Sequence, residues 1–259
     1  MKLNVCTFNL RYAAADDGIN AFENRKQLIQ REFPKYQADI VGFQEVLPRQ
    51  HLWLEEFLEG YTIVGTGRGK KLDDESNVIA YRTDRFLLAS LDTFWLSDTP
   101  FVPGSRFATD QSSCPRICTC VVLMHRETGK LLRFYNTHLD YMGEISQCQG
   151  MTVILNRITA ADARYPNVPL VLTGDFNAVP GSRVCTQVAA FSSCGKPLKD
   201  LTAGIRGTYH GYQPEETLDK IDYIFTNAAA DPSRTMALTE QENGVYLSDH
   251  YPVLAEITL

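Results

Sequence analysis

Hydrophobic and polar positions along the chain predict short strands that alternate with amphipathic helices. Apolar residues run continuously or at every second position in the strand segments, and at helical spacing in the others. Helices are predicted over 24–36, 49–59, 144–163 and 182–190. Strands are predicted over 3–9, 38–46, 61–65, 77–82, 86–95, 117–124, 131–138, 168–172, 221–226 and 252–258. This interleaving indicates an α/β fold in which helices are layered on sheets.

A short internal echo indicates how the layers are arranged. The segments "CTFN" at 6–9 and "GDFN" at 174–177 both place Phe-Asn at the end of a strand. Two sheets that each end a strand at a shared cleft would account for the echo. No Pro-, Gly- or Ser-rich run has the composition of a linker, so we predict one domain over 1–259. The expected architecture is a sandwich of two sheets with outer helices.

Composition and charge narrow the class of ligand. The chain has 259 residues, of which 44% are hydrophobic and 22% charged, so it can bury a sizeable core. Its formal net charge of −6 argues against a broad basic surface for long duplex nucleic acid. A small phosphate ligand, or a short strand in a local basic groove, stays compatible with this charge.

Cysteine usage and the absence of long apolar runs bear on the compartment. The seven cysteines are odd in number and scattered, which favours free thiols and a reducing compartment. No apolar run approaches the roughly 18 residues of a membrane span. We therefore expect a cytoplasmic protein without membrane insertion and without an obligate protein partner.

Polar residues gather where the predicted strands end. Asp, Asn and His at single strand ends are usually turn formers or caps. Here the same residue types recur at several strand ends, and together they would form the oxygen-rich site that Mg²⁺ or Mn²⁺ prefers. They are Asn9, Glu45, Asn136, His138, Asp140, Asp175, Asn177, Asp219, Asp222, Asp249 and His250.

Other common catalytic signatures are missing. The chain has no GxxxxGK[ST] segment for a phosphate-binding loop and no GxSxG elbow for a serine nucleophile. Zinc-finger spacing of Cys and His is absent as well. Water activated beside a metal ion is therefore the favoured chemistry.

Five segments in order resemble the signature blocks of a known superfamily. "VGFQEV", "NTHLD", "TGDFN", "IDYIF" and "SDH" are similar to those of the endonuclease/exonuclease/phosphatase superfamily, and the match runs from Asn9 to His250. "ENRK", "TFWLSDTP" and "CPRI" resemble a bacterial branch of it without an assigned substrate. The resemblance implies a four-layered α/β sandwich of the deoxyribonuclease I type. It also implies hydrolysis of a phosphoester with Mg²⁺ or Mn²⁺.

The resemblance also implies a metal site. Glu45 would be the main ligand of the cation, with support from Asn9 and Asp249.

Further residues would carry the chemistry. Asp175 would orient or deprotonate the attacking water, and Asn177 would hold a phosphoryl oxygen. Alternation along the strand end would put both on one side. His250, positioned by Asp222, would donate to the phosphate, and His138 would bind it from the opposite wall.

Two departures from the pattern of abasic-site endonucleases narrow the class of substrate. Arg11 stands where abasic-site endonucleases have an acidic residue, and His138 where they have a tyrosine. The "THL" form resembles the deadenylase and sphingomyelinase branches instead. The leading hypothesis is thus a phosphodiesterase similar to 3'-5' RNA exonucleases, with short single-stranded RNA as substrate. The alternative is a phosphomonoesterase or phospholipase-like enzyme acting on a small or lipid phosphate. A non-catalytic phosphate-binding module would be expected to lose site residues, and none is missing.

The sequence also predicts the environment of several residues outside the strand ends. The polar loop 67–77 is expected to be a solvated hairpin. Arg25, Lys71 and Arg116 are expected to face solvent rather than a phosphate. The aromatic segment 207–212 either lines the cleft or forms a plain loop, and the sequence favours neither.

Overall fold

Two β-sheets stack face to face in the computed structural model, which describes residues 1–259. The four α-helices are α1 (Phe22–Glu32), α2 (Pro48–Phe57), α3 (Glu144–Arg164) and α4 (Arg183–Ala189). The longer strands are β1 (Lys2–Asn9), β2 (Ile40–Val46), β3 (Tyr61–Val64), β4 (Ser76–Arg82), β5 (Phe86–Trp95), β6 (Ile117–His125), β7 (Leu131–His138), β8 (Leu170–Asp175), β12 (Asp222–Thr226) and β17 (Val253–Thr258). Seven two-residue strands complete the set: β9 (Ser192–Ser193), β10 (Lys196–Pro197), β11 (Lys199–Asp200), β13 (Ala229–Ala230), β14 (Met236–Ala237), β15 (Gln241–Glu242) and β16 (Val245–Tyr246).

The two main sheets share one pattern of strand directions. The first has the order β13-β17-β1-β2-β4-β3, with β14 also paired to β17, and the second has the order β11-β12-β8-β7-β6-β5. In the first sheet only β1 and β2 run parallel, and in the second only β7 and β8 do. Both sheets are therefore mixed.

Three separate apolar clusters show that the sandwich has four layers. Along β1, Cys6 and Phe8 point outward into a cluster that includes residues of α1 and α2. Leu3 and Val5 point the other way, into the cluster between the two sheets. A third cluster joins the outer face of the second sheet to α3 and α4. The predicted α/β sandwich is confirmed, and its apolar alternation follows the strand period of two.

The sequence echo corresponds to equivalent positions in the two sheets. Strand β1 pairs in parallel with β2 and antiparallel with β17, while β8 pairs in parallel with β7 and antiparallel with β12. Both strands end at the same cleft, where Nδ2 of Asn9 donates to Oδ2 of Asp175 over 3.0 Å. The echo therefore does mark two strands that meet at a shared site.

Most element boundaries match the sequence prediction, with two notable differences. The strand predicted over 168–172 lies later in the chain, at Leu170–Asp175. The helix predicted over 24–36 ends at Glu32, and a 3₁₀ turn over Phe33–Tyr36 replaces its last residues. Pro34 lies in this turn, and proline disfavours a continued α-helix because it lacks an N–H and crowds the preceding turn. The two-residue strands were not predicted, since so short a segment has no readable period.

Two further expectations concern cysteines and membranes. All seven cysteines are free, as predicted. None of the helices combines the length and apolarity that crossing a bilayer requires. The compartment stays a prediction.

Candidate active site

A cleft of about 590 Å³ opens where β1, β2, β7 and β8 end. The structure brings all eight predicted site residues together around it. Six line the cleft: Glu45, His138, Asp175, Asn177, Asp249 and His250. Asn9 and Asp222 are buried beneath them and contact them directly. A concavity of about 660 Å³ at the other end of the first sheet holds none of these residues.

Glu45 reaches the cleft through a bulge in β2. The register of β2 against β4 shifts between Phe43 and Val46, and Glu45 has a φ of 61°. A non-glycine residue in this left-handed region costs free energy, which favours a functional reason for its placement. The Glu45 carboxylate accepts a hydrogen bond from the Tyr12 N–H at 2.8 Å.

Asn9 links two of the acidic groups of the cleft, Glu45 and Asp175. Its Nδ2 donates to Oε1 of Glu45 and to Oδ2 of Asp175, each at 3.0 Å. Its Oδ1 accepts from the Arg11 N–H at 2.9 Å, which fixes the orientation of the amide. The amide nitrogen thus satisfies both carboxylates and sets their separation.

A polar layer between the sheets supports the floor of the cleft. Asn136 donates through Nδ2 to the carbonyl oxygens of Phe43 at 2.8 Å and Val78 at 3.0 Å, and so joins the two sheets. Gly42 leaves room for it: a Cβ there would lie 2.4 Å from Oγ1 of Thr173 and 2.6 Å from Oδ1 of Asn136. The layer holds β2 and β7 in fixed register beneath the site.

Asp175, at the end of β8, is a buried carboxylate with an unusual ionisation. Burial and the nearby charge of Asp222 raise its pKa to about 7. Its Oδ2 lies 3.5 Å from Nε2 of His138 and 3.8 Å from Nε2 of His250. Because its pKa is near neutral, Asp175 can accept a proton in the working pH range.

The pKa of His250 is also raised, and in a histidine this favours the charged form. Its Nδ1 lies 2.7 Å from Oδ2 of Asp222. Burial alone would lower its pKa, but the charge of Asp222 and its hydrogen bond outweigh burial and raise the pKa to about 10. His250 is therefore a cation at neutral pH, and its Nε2 faces the cleft.

Asn177 and His138 form the opposite wall. Strand β8 ends at Asp175, and Asn177 has a left-handed φ of 48°. The predicted alternation along a strand is therefore the wrong reason for its placement. The amide lies with Nδ2 2.9 Å from Nε2 of His138 and 3.1 Å from the Leu139 carbonyl oxygen. Burial and the charges of Arg116 and Arg68 keep the pKa of His138 well below its usual range, so the ring is neutral.

Two loops contribute residues that the sequence prediction placed in solvent. Arg116 and Arg68 are both buried and line the cleft, so the expectations of a solvent-facing Arg116 and of a fully solvated 67–77 hairpin are wrong. Glu75 from the same loop also lines the cleft, and burial raises its pKa to about 7 although Arg68 opposes the shift. The resemblance of the "CPRI" segment to the bacterial branch was the one sequence signal that could have indicated a role for Arg116 in the cleft.

Arg25 is buried as well, against expectation. Its guanidinium donates to the carbonyl oxygens of Asn20, Leu10 and Leu247. Lys71 is exposed, as predicted.

Only part of the aromatic segment 207–212 lines the cleft. Tyr209 lines the cleft, with its ring centroid 5.0 Å from that of His250. His210 is fully buried and stacks on Tyr251 with a centroid separation of 4.1 Å. Tyr212 lies outside the cleft lining, 3.5 Å from Asp17 through its hydroxyl.

The acidic residues of the cleft fit a hard divalent cation. Three potential ligand atoms lie within 4.8 Å of one another, one each from Glu45, His138 and Asp175. Asp249 adds a further carboxylate to the lining. Carboxylate oxygens concentrated beside an open cleft are the donors that Mg²⁺ and Mn²⁺ prefer.

Comparison with known families agrees with this geometry. The model of the Endonuclease/Exonuclease/phosphatase family matches residues 6–250. The chain belongs to this family. Its fold is the deoxyribonuclease I-like sandwich of that family, whose members are phosphoester hydrolases.

Solved structures of family members superpose along the full chain. A family protein of Bacteroides vulgatus is 29% identical with a TM-score of 0.87, over 100% of this chain and 99% of that one. The mannosyl-6-phosphatase of Bacteroides thetaiotaomicron is 27% identical with a TM-score of 0.83, over 99% of this chain and 100% of that one.

A curated relative is also similar. It is the probable CCR4-Not complex 3'-5'-exoribonuclease subunit Ccr4 of Encephalitozoon cuniculi, 26% identical over 229 residues. The match covers 77% of this chain and 46% of the relative, so the chain spans about half of that protein's length.

Proposed function

We propose that this protein hydrolyses phosphoesters with the help of Mg²⁺ or Mn²⁺. The observation that carries the proposal is the position of the Asp175 carboxylate between two imidazoles, 3.5 Å from Nε2 of His138 and 3.8 Å from Nε2 of His250. Asp175 can act as a base, His250 is a cation and the His138 ring is neutral. The three groups are close enough together to contact one bound phosphate.

Asp175 is proposed to take a proton from the attacking water. Its pKa of about 7 leaves a useful fraction ionised at neutral pH and still makes it basic enough to accept a proton. The Asn177 N–H and the Asn9 amide hold the two carboxylate oxygens at 2.8 and 3.0 Å. A carboxylate held from both sides keeps one orientation toward the water.

His250 is proposed to donate from Nε2 to a phosphoryl oxygen. Asp222 keeps the ring charged and oriented, so its positive charge is in place before the reaction begins. Such preorganised charge stabilises the negative oxygens of a phosphoryl transition state without reorganisation.

Asn177 and His138 are proposed to hold the phosphate from the other side. In the structure their side chains contact each other, with Nε2 of His138 as the acceptor of the Asn177 amide. The charge of a bound phosphate would favour the protonated ring of His138. Both side chains would then donate to phosphoryl oxygens instead of to each other.

Glu45 is proposed to be the main ligand of the divalent cation, with Asp249 and Asn9 beside it. A cation bound there supplies positive charge to phosphoryl oxygens. The donor set includes a glutamate whose left-handed backbone aims it into the cleft, and this supports the assignment.

Two substrate classes have support. Similarity to the probable exoribonuclease subunit Ccr4 supports the diester hypothesis, with short single-stranded RNA as substrate. Similarity to the mannosyl-6-phosphatase over the whole chain supports the monoester hypothesis, with a small phosphate as substrate. All the proposed site residues are present, so the non-catalytic module has no support from the cleft.

A panel of substrates tests the proposal. It contains a generic diester, single-stranded RNA and DNA, inositol phosphates, mannose 6-phosphate and sphingomyelin, each with Mg²⁺ or Mn²⁺ and again with chelator. We expect chelator-sensitive hydrolysis of at least one, lost in Asp175→Asn and His250→Ala and kept in the exposed control Asp98→Asn. Hydrolysis that persists in both site variants would contradict the mechanism. No hydrolysis of any member by folded protein would contradict the function.

A further inference from the structure

Arg116 is a buried arginine in the wall of the active-site cleft, and two of its side-chain donors have no hydrogen-bond partner. Its side chain is 5% exposed, and it lines the cleft with His138 and Asn177. Nε and Nη1 are both buried and unpaired. The nearest acidic atom is Oδ2 of Asp140, 3.6 Å from Nε and beyond hydrogen-bond distance. A buried guanidinium with unused donors is costly unless a ligand pairs with it.

The other two arginines of the cleft differ in this respect. Arg68 donates to Asp74 at 3.3 Å and to Glu75 at 2.7 Å. Arg11 donates to both carboxylate oxygens of Asp17, at 3.1 and 3.0 Å. Their charges are already paired within the protein. Arg116 differs from them because two of its buried donors, Nε and Nη1, have no hydrogen-bond partner within the protein.

The fold places Arg116 beside the proposed phosphate position. Strand β6 begins at Ile117 and runs antiparallel to β7, with Cys118 opposite Thr137. Arg116 therefore lies next to the end of β7, where His138 projects into the cleft. Both residues line the same cleft, and the positive charge of Arg116 lowers the pKa of His138.

Neighbouring groups hold Arg116 without using its donors. The ring of Tyr141, which is 59% exposed, has its centroid 5.8 Å from the Arg116 guanidinium carbon. Oδ1 of Asp140 accepts instead from the N–H groups of Ser112, Met142 and Gly143. Asp140 is thus tied to its own loop, and its Oδ2 forms an ion pair with Arg116 at 3.6 Å without a hydrogen bond.

We propose that Arg116 is a specificity determinant for a terminal phosphate, so that the preferred substrates are phosphate monoesters. A monoester carries about two negative charges at neutral pH and three terminal oxygens, whereas a diester carries one charge and two such oxygens. The guanidinium fork is suited to two oxygens of one phosphoryl group. This inference rests on the proposed function and selects between its two substrate classes.

A matched pair of substrates tests the inference. We compare p-nitrophenyl phosphate with bis(p-nitrophenyl) phosphate, using the wild type, Arg116→Gln, Arg116→Lys and the exposed control Arg164→Gln. For Arg116→Gln we expect kcat/KM to fall about 100-fold on the monoester and less than about threefold on the diester. Arg116→Lys should recover part of the monoester loss, because it keeps the charge without the fork. An equal loss on both esters, or no loss on the monoester, overturns the inference.

Binding of inorganic phosphate provides a second arm that needs no turnover. Calorimetry in the presence of chelator is expected to show phosphate binding to the wild type and to Arg164→Gln, and at least about tenfold weaker binding to Arg116→Gln. Equal binding to the two, or none to the wild type, overturns the inference. If the wild type hydrolyses neither of these esters nor any member of the substrate panel, the proposed function has failed, and the calorimetry alone decides the role of Arg116. Circular dichroism and thermal unfolding confirm that each variant is folded.

Discussion

Asp222 holds His250 through a 2.7 Å contact between its Oδ2 and the imidazole Nδ1, and both residues are buried. The contact decides two properties of the ring. It fixes the orientation that leaves Nε2 facing Asp175, and it keeps the ring charged despite burial. The pair comes from two segments far apart in the chain, the start of β12 and the "SDH" loop before β17.

Asp222→Asn is expected to discharge His250. Burial by itself lowers the pKa of this histidine, so loss of the Asp222 charge and hydrogen bond should lower the pKa from about 10, with only the charges of Asp249 and Asp175 left to oppose burial. Turnover should drop by about 10²–10³-fold at neutral pH. The measurements are an NMR titration of the ring and kcat. The exposed Asp98→Asn variant is the control. An unchanged pKa of the His250 ring in Asp222→Asn would disprove the coupling.

The pH dependence of kcat/KM should be bell-shaped. Asp175 must be ionised to accept a proton, so activity should rise through pH about 7. His250 must be protonated to donate, so activity should fall through pH about 10. The two groups interact, and the limbs therefore report the pair rather than single residues. A flat profile between pH 5 and 9 would exclude Asp175 as the base.

Asp175→Asn is expected to change how stability depends on pH. The folded-state pKa of about 7 lies above the unfolded value of about 3.9, so the folded protein binds this proton more tightly. That contribution is fully present below pH about 4 and is lost as the pH rises toward 7. Relative to the wild type, the variant should gain about 2–4 kcal/mol of unfolding free energy between pH 4 and 8. Urea unfolding with chelator measures this, and parallel pH curves would refute it.

Glu45→Gln is expected to weaken cation binding. Wild-type protein should show a higher thermal midpoint on addition of Mg²⁺ or Mn²⁺, because a ligand of the folded state stabilises it. The variant should lose most of that shift, while the exposed control Glu56→Gln should keep it. A full shift in Glu45→Gln would mean that the cation binds elsewhere.

Gly42→Ala is expected to disturb the floor of the cleft. The added Cβ would lie 2.4 Å from Oγ1 of Thr173 and 2.6 Å from Oδ1 of Asn136, so the polar layer must shift. Overpacking of this kind costs about 1–3 kcal/mol of unfolding free energy. Gly204→Ala, where a Cβ meets nothing within 4 Å, is the control for urea unfolding. Equal stability of the two variants would contradict the close packing.

The sequence by itself determined most of the elements and a list of candidate site residues. Strand alternation and helical spacing are local properties, so β5 and β7 were predicted with the bounds that the structure shows. The order of the motif blocks identified the eight candidate residues before any distance was known. The echo between 6–9 and 174–177 even indicated which two strands meet.

Tertiary structure decided what those residues do to one another. Burial and long-range charge set the ionisation of Asp175 and His250, and neither can be read from flanking sequence. Glu45 and Asn177 enter the cleft through left-handed backbone, where strand alternation fails. Arg116 looked like a surface charge because its burial depends on segments distant in the chain. The physical reason is common to all three: desolvation and pairing arise only when separate elements pack, so local pattern cannot fix them.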